Sequence, residues 1–381
     1  MPGKRDIMST TNFEVPGHGH GPTGVTRTDV VIVGAGISGL VAADHLAAGG
    51  ARVRVLEARR RVGGRTLSVP APDSEAPGRF DLGASWLWSP QRELIGLLDS
   101  LGLMLGQQHE TGSALYDHAA HLPPRPIGER RMGSLRIEAG SQALAERLAA
   151  KLPDGALHLG HSVRRVEAHQ TGVTIDAVTD GGPERFQAEA VILALPPRLA
   201  VQIALFPRLP AHVETLARCT PTWMSGTYKV VVGYQDSFWR QDGLSGLSIS
   251  DVGPLREVHD AVTHGTPALL GMALDADSTL RALSDAGRQA AILDQLTRIF
   301  GPKAAEPAFL VDHDWTAQHE SSTDVDDPGA TYGDARFSER YMGGRVLFAG
   351  AETASESSGQ MHGAVLAGTR AARLLLEGQV S

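Results

Sequence analysis

The sequence predicts an α/β chain in which a parallel, doubly wound sheet is interleaved with a smaller α+β domain. Three observations carry this expectation. Residues 29–66, DVVIVGAGISGLVAADHLAAGGARVRVLEARRRVGGRT, set out a β-branched strand, a Gly-rich turn, a helix, a second strand ending in an acid, and a Gly-Gly-Arg loop. Strand-like runs return over residues 156–195 and stop at Pro196-Pro197. The final segment, GGRVLFAGAETASESSGQMHGAVLAGTRAARLLLEG, sends one more strand into a Ser-rich loop and a closing helix.

The first element, Asp29 to Val33, reads as a short buried parallel strand that stops where Gly34 permits a tight turn. Gly36 lacks a Cβ, so a pyrophosphate can approach the backbone there, and Gly39 lets the following helix pack close to the sheet. The helix, Ile37 to Ala48, presents free N–H groups and the positive end of its dipole to phosphates. Glu57 closes the second strand eighteen residues after Gly39, where an acid accepts hydrogen bonds from a ribose 2′-hydroxyl and disfavours a 2′-phosphate. In Val62-Gly63-Gly64-Arg65, the glycines can approach a diphosphate and the arginine can pair with it. Together these features predict a bound dinucleotide.

Further along, Leu144, Leu148 and Leu152 give Ser141 to Leu152 a helical period, and Ala156 to Val166, Gly172 to Ala177 and Ala190 to Leu195 read as strands. Residues 88–138 and 199–329 are more irregular. They contain a strand pair near Thr227–Tyr234 and Leu244–Ser250, and a helix from Ser284 to Phe300 that Gly301-Pro302 stops. The expected organisation is a leader over 1–28, a nucleotide domain from 29–87, 139–198 and 330–381, and a substrate domain from 88–138 and 199–329. The leader is polar and reads as disordered, its His18 and His20 included.

At 381 residues with 42% hydrophobic side chains, the chain has material for two domains. A net charge of −8 gives no bulk attraction for nucleic acid or an anionic membrane, and no apolar stretch has the length of a membrane span. Cys219 is the single cysteine, which excludes internal disulfides and a Cys-based zinc site and fits a reducing, cytoplasmic setting. Its simplest reading is a small buried residue. The sequence shows no metal-ligand array and no Ser-His-Asp motif.

Two later features bear on chemistry. The last helix begins near Gln360 or Met361, and its free N–H groups would stabilise negative charge; a helix that merely covers the sheet is the plainer alternative. Lys229, in TYKVVVGYQDSFWR, is either an exposed strand lysine or a cation that stabilises charge passing to oxygen.

The opening motif, LGASW at Leu82 to Trp86, ALPP at Ala194 to Pro197, and FAGAETA with SGQMHGAV together resemble the flavin-containing amine oxidases, the monoamine and polyamine oxidase family. The motifs run from residue 29 to residue 376, so the resemblance spans nearly the whole chain. It implies a Rossmann-like FAD-binding domain of the glutathione-reductase type beside an α+β substrate domain. It also implies hydride transfer from an amine to flavin N5, with an imine hydrolysed to a carbonyl compound and O2 reduced to hydrogen peroxide.

Carried over by position, the resemblance places Gly34, Gly36, Ser38 and Gly39 at the diphosphate, Glu57 on the adenosine ribose, and Ala58, Arg59, Gly64 and Arg65 around the adenosine and phosphates. Val163 falls at the adenine; Gly83, Ala84, Ser85 and Trp86 fall beside the flavin; Gly350 and Glu352 fall near the ribityl–phosphate region; and the Met361 N–H falls at the flavin C2 carbonyl. Lys229 takes the position of a lysine that reaches flavin N5 through water. Trp315 matches a tryptophan near the flavin, although it reads equally as core.

Three departures from the family pattern stand out. The cysteine that binds FAD covalently in monoamine oxidases is replaced by Asp324, nine residues after Trp315, so FAD is expected without a covalent bond. The two facing tyrosines fall on Val325 and Gln360, so arylalkylamine specificity is not inherited, and Gln360 joins Lys229 and Trp315 as a candidate catalytic residue. The stretch between Trp86 and Gly140 is about ninety residues shorter than in long members, which leaves either a more open pocket or one closed by a second subunit in a homodimer. His362 is either a substrate-side histidine, as in polyamine oxidases, or structural. Glu257 and Asp260 are either acids that receive a cationic substrate or solvated surface. The rival readings are a desaturase of an apolar carbon skeleton on the same fold and a flavin-binding protein without turnover.

Overall fold

The computed structural model describes residues 25–72, 78–274, 278–322 and 332–378. Its first sheet has six strands in the order Leu157–Leu159, Val53–Glu57, Val30–Val33, Ala190–Leu193, Val346–Phe348 and Arg340–Tyr341. All neighbours are parallel except the last pair. The central strands are buried on both sides, so their sequences are continuously apolar rather than alternating.

The two faces of this sheet are nevertheless distinct. Val30, Ile32, Val55, Ile192 and Leu347 pack with Leu40 and Leu46 of the Ile37–Ala48 helix and Leu375 of the closing Met361–Glu377 helix. Val31, Val33, Leu56, Val191, Leu193 and Phe348 point the other way, onto Val166, Ile175 and Phe186. These last three belong to a five-stranded sheet ordered Thr26–Arg27, Gly182–Ala188, Gly172–Thr179, Ser162–His169 and Ala204–Phe206. Glycines let the two helices close on each other: a Cβ on Gly368 would lie 2.3 Å from the Ser38 carbonyl oxygen. A Cβ on Gly39 would lie 2.0 Å from the Gly34 carbonyl oxygen, the close helix–strand contact that its place in the motif predicts.

A second body is a seven-stranded sheet ordered Phe309–Asp314, Tyr228–Gly233, Ala268–Ala273, Glu257–Asp260, Leu244–Ser250, Ser113–Asp117 and Arg125–Pro126. The Asp285–Phe300 helix covers one face through Ile292, Leu296, Ile299 and Phe300, which meet Val230 and Val232. Ser284 caps that helix by accepting from the Gly287 N–H, and Gly301 ends it at φ 88°. The opposite face carries Val231, Leu270 and Met272 onto Phe80 and Leu82 of the first body. Strand alternation therefore aims Lys229, like Val231, towards the interface of the two bodies.

Several expectations are corrected. Thr26–Arg27, expected within the leader, is a strand paired with Phe186 and Gln187, while residues 1–24, including His18 and His20, lie outside the described residues. The run Ala156 to Val166 is two strands in different sheets, divided at Gly160-His161, and the polar Gly182–Ala188 strand was not foreseen because only its pairing makes it a strand. Tyr228–Gly233 and Leu244–Ser250 share a sheet but are separated by two other strands. Residues 92–103, assigned to the substrate domain, bury Leu94, Leu98 and Leu103 in the first body's core, as Val213 and Ala217 do on its other face. Cys219 is exposed rather than buried.

Candidate active site

A cavity of about 360 Å³ opens where the parallel strands end. Its walls include Gly34, Gly36, Ser38, Glu57, Ala58, Arg59, Gly64, Arg65, Val163, Gly350, Gln360 and Met361. Two helix N-termini face it, those of Ile37–Ala48 and Met361–Glu377, and neither has a side-chain cap or an acid in its first turn. Their N–H groups and dipoles favour a bound anion.

Gly34 turns the chain at φ 103°, a region that side chains rarely enter, whereas Gly36 has an ordinary φ of −72°. A Cβ on Gly36 would meet nothing within 4 Å, so the glycine is not required by protein packing. Buried Glu57 is fixed by the backbone: one carboxylate oxygen accepts from the Ala35 N–H at 2.7 Å and the other from the Arg59 N–H at 2.9 Å. Arg61, which sequence reasoning missed, donates to the Gly64 carbonyl at 2.9 Å and pins the Gly63-Gly64 loop from behind. Burial lowers its pKa.

The second cavity, about 200 Å³, shares Arg65, Ala84, Gly359, Gln360 and Met361 with the first. Gly83, Ser85, Trp86, Lys229 and Trp315 complete the part foreseen from sequence. Trp88, Trp223, Met224, Thr227 and Met272 were missed, because only the fold gathers them.

The LGASW segment is gripped from the substrate sheet. Lys229 Nζ donates to the Gly83 carbonyl at 2.6 Å and to Ser85 Oγ at 2.7 Å, and Trp315 Nε1 donates to the Leu82 carbonyl at 2.8 Å. Lys229 is only 4% exposed, so it is no surface lysine. Burial brings its pKa down to about 7, opposed by the Asp81 carboxylate and reinforced by Arg136. Trp86 is itself tied through Nε1 to Gln108 at 2.9 Å and packs on His259 with ring centroids 4.6 Å apart.

Other candidates fall differently from expectation. Arg65, expected on the diphosphate, lines both cavities but makes a bidentate pair with Glu352 at 2.5 and 3.0 Å. Glu352 is fully buried behind Arg65 and is not part of either wall. Gly39 is likewise absent from the walls, being taken up in packing. Gln360 lines both cavities, and its side-chain carbonyl accepts from Gln91 Nε2 at 2.9 Å. His362 is buried between Glu93 and Ser357, the structural alternative. Asp260 is neither a substrate acid nor solvated: it is 3% exposed and bonded to Trp239 and Arg240, while Glu257 bonds His259. Asp324 and Val325 lie outside the described residues.

Residues 111–376 match the family described as flavin containing amine oxidoreductase, and residues 32–101 match an NAD(P)-binding Rossmann-like domain. The chain belongs to the flavin-containing amine oxidoreductase family. Among relatives of this family, amine oxidase [flavin-containing] B of Cavia porcellus is 28% identical over 455 aligned residues, covering 92% of this chain and 86% of that protein. That aligned length exceeds the 381 residues present, so the relative carries segments that this chain lacks. Putrescine oxidase of Kocuria rosea is 26% identical, covering 76% of this chain and 82% of its own. A solved structure of putrescine oxidase bound to putrescine superposes with a TM-score of 0.81 at 25% identity, covering 93% of this chain and all of that one.

FAD is the cofactor that this family and fold indicate, and the residues fit it. The open space over Gly36, the anchored Glu57 and the uncapped helix ends suit a dinucleotide. Gly36→Val is therefore expected to fold normally yet be isolated with less than about a tenth of the wild-type flavin, because its Cβ enters open space beside the cavity that the diphosphate would fill. Flavin absorbance against protein concentration, beside a circular dichroism spectrum, measures both. Full flavin occupancy in the variant would place the cofactor elsewhere.

Proposed function

We propose that this chain is an FAD-dependent amine oxidase that oxidises the C–N bond of a small amine. The observation that carries the reading is Lys229, buried in the second cavity and bonded to the Gly83-Ser85 segment beside the boundary shared with the first. FAD, when bound, would supply the two-electron chemistry: it would accept the hydride leaving the amine α-carbon and pass the electron pair to O2, giving hydrogen peroxide. Gly34, Gly36, Ser38, Glu57, Ala58, Arg59, Gly64 and Val163 hold its dinucleotide part in this reading. Ala84, Gln360 and Met361 hold the ring, with the N-terminus of the last helix stabilising negative charge.

The protein's task is then positioning. Trp86, Trp315 and Lys229 form a rigid wall because each is tied by a hydrogen bond, and the indoles keep bulk water from the reacting carbon. The substrate reacts as the neutral amine, whose lone pair drives hydride departure; the resulting imine is hydrolysed to a carbonyl compound. Lys229 supplies a positive charge near pH 7 for the oxygen step. Asp324 supports FAD held without a covalent bond, and the single cysteine supports a cytoplasmic setting. No helix among the described residues is long and apolar enough to cross a membrane. The compact second cavity favours a small amine over the long carbon skeleton of a desaturase substrate.

In air, the holoenzyme should consume amine and release carbonyl product and peroxide in equal amounts. Flavin-loaded protein that turns over no amine, diamine or amino acid would refute the reading. Light scattering of the same holoenzyme distinguishes an open monomer from a homodimer that closes the pocket.

A further inference from the structure

Lys229 is gripped by neutral groups. Its ammonium donates to the Gly83 carbonyl and to Ser85 Oγ, which fix where it stands but carry no charge to balance it. The segment that supplies both acceptors, residues 81–85, begins with Asp81, whose carboxylate is fully buried. Asp81 closes the short Arg79–Asp81 strand opposite Ser68. One of its oxygens accepts from Ser68 Oγ at 2.6 Å and from the Ser141 N–H at 2.8 Å. The other, Oδ2, has no hydrogen-bond partner among the described residues and lies 3.8 Å from the Arg136 guanidinium. We propose that Asp81 is a positioning residue for the oxygen step, its carboxylate favouring the charged form of Lys229 while Arg136 opposes it; this rests on the role given to Lys229 in the amine-oxidising reading.

The carboxylate is locked in place from the nucleotide body. Ser68 Oγ accepts in turn from the Gln142 N–H at 3.0 Å, and the Gln142 side-chain carbonyl accepts from the Ser68 N–H at 3.0 Å, at the start of the Gln142–Lys151 helix. An asparagine could accept the same two bonds. What an acid adds is charge, and keeping a buried carboxylate oxygen without a hydrogen bond is costly. In a water-poor interior that charge is weakly screened, so it acts on an ammonium held by the same segment without touching it.

The other charged and titratable groups around Lys229 are engaged elsewhere. Arg65 on the cavity wall is paired with Glu352, and His259 packs behind Trp86 and bonds Glu257. His313 stands opposite Lys229 on the neighbouring strand, where burial, with Arg61 and Arg59 nearby, lowers its pKa. Asp81 is the acid that counters the effect of burial on Lys229.

The test reads the charge of Lys229 directly. The chain has four lysines, so holoenzyme isotope-labelled at lysine Cε gives few enough NMR signals for Lys229 to be identified by its loss in Lys229→Met. The wild-type signal should titrate near pH 7. Asp81→Asn, whose side-chain carbonyl keeps the bonds from Ser68 and Ser141, should lower that midpoint by about one pH unit or more, and Arg136→Met should raise it. A general packing defect would not separate the two variants in sign. The oxygen rate of dithionite-reduced holoenzyme should follow, its fall with rising pH moving in the same direction as the midpoint. A midpoint that Asp81→Asn leaves unchanged or raises, one that Arg136→Met lowers, or an oxygen profile that stays put while the midpoint moves would overturn the inference. Arg136→Met carries the test alone should Asp81→Asn fail to fold. Neither measurement uses an amine, so flavin that no amine reduces would strike the oxidase reading separately.

Discussion

Lys229→Met is expected to slow the reaction of the reduced enzyme with oxygen by on the order of 10² or more while leaving anaerobic reduction by amine within a few-fold of wild type. The asymmetry follows from charge. Moving electrons to oxygen builds negative charge that a neighbouring cation stabilises, whereas hydride departure from a neutral amine has no such need. Because burial brings the Lys229 pKa down to about 7, the oxygen rate of the wild type should fall as pH rises through that value, and the Met variant should lack the step. Double-mixing stopped-flow separates the two half-reactions. An oxygen rate equal to wild type would remove Lys229 from the mechanism.

The same lysine makes a stability prediction of definite sign. Its ordinary pKa of 10.5 lies above the folded value, so between pH 7 and 10.5 the unfolded chain binds a proton that the native protein does not. Stability conferred at this site therefore rises with pH across that window, and the burial penalty is fully present below it. Wild type should gain on Lys229→Met between pH 7 and 10.5 in denaturant unfolding, after allowance for the donor that the variant removes from Gly83 and Ser85.

Arg65→Met is expected to cost about 3–5 kcal/mol, since it strands the fully buried Glu352 carboxylate. The loss should extend to flavin retention, because Arg65 lines both cavities and its partner holds the Trp223 peptide. Replacing both Arg65 and Glu352 by Met should restore much of the stability and little of the flavin. Urea unfolding of the single and double variants measures the coupling. Additive losses would mean that the pair acts independently.

Much of the nucleotide half could be read in the sequence because its signals are local. The Val30–Val33 strand, the Gly34–Gly39 turn and the acid at Glu57 lie within one βαβ unit, where a tight turn, close helix packing and the approach of a dinucleotide set the residue types. The substrate half was less legible because it is built from long-range pairing. Nothing near Tyr228 announces that Ala268–Ala273 and Glu257–Asp260 separate it from Leu244–Ser250. Lys229 was ambiguous for the same reason: only Gly83 and Ser85, contributed from the other body, distinguish it from a surface lysine. The ion pair of Arg65 with Glu352 was not legible, because the two lie 287 positions apart. Trp223 and Met224 carry no motif, and the fold alone brings them to the cavity rim.

The most direct test of the central claim is to mix the purified, flavin-loaded protein with amines in the absence of oxygen and follow the oxidised flavin band, near roughly 450 nm. The account predicts that a small amine bleaches it and that air restores it with release of peroxide. A bound flavin that no amine bleaches would contradict it.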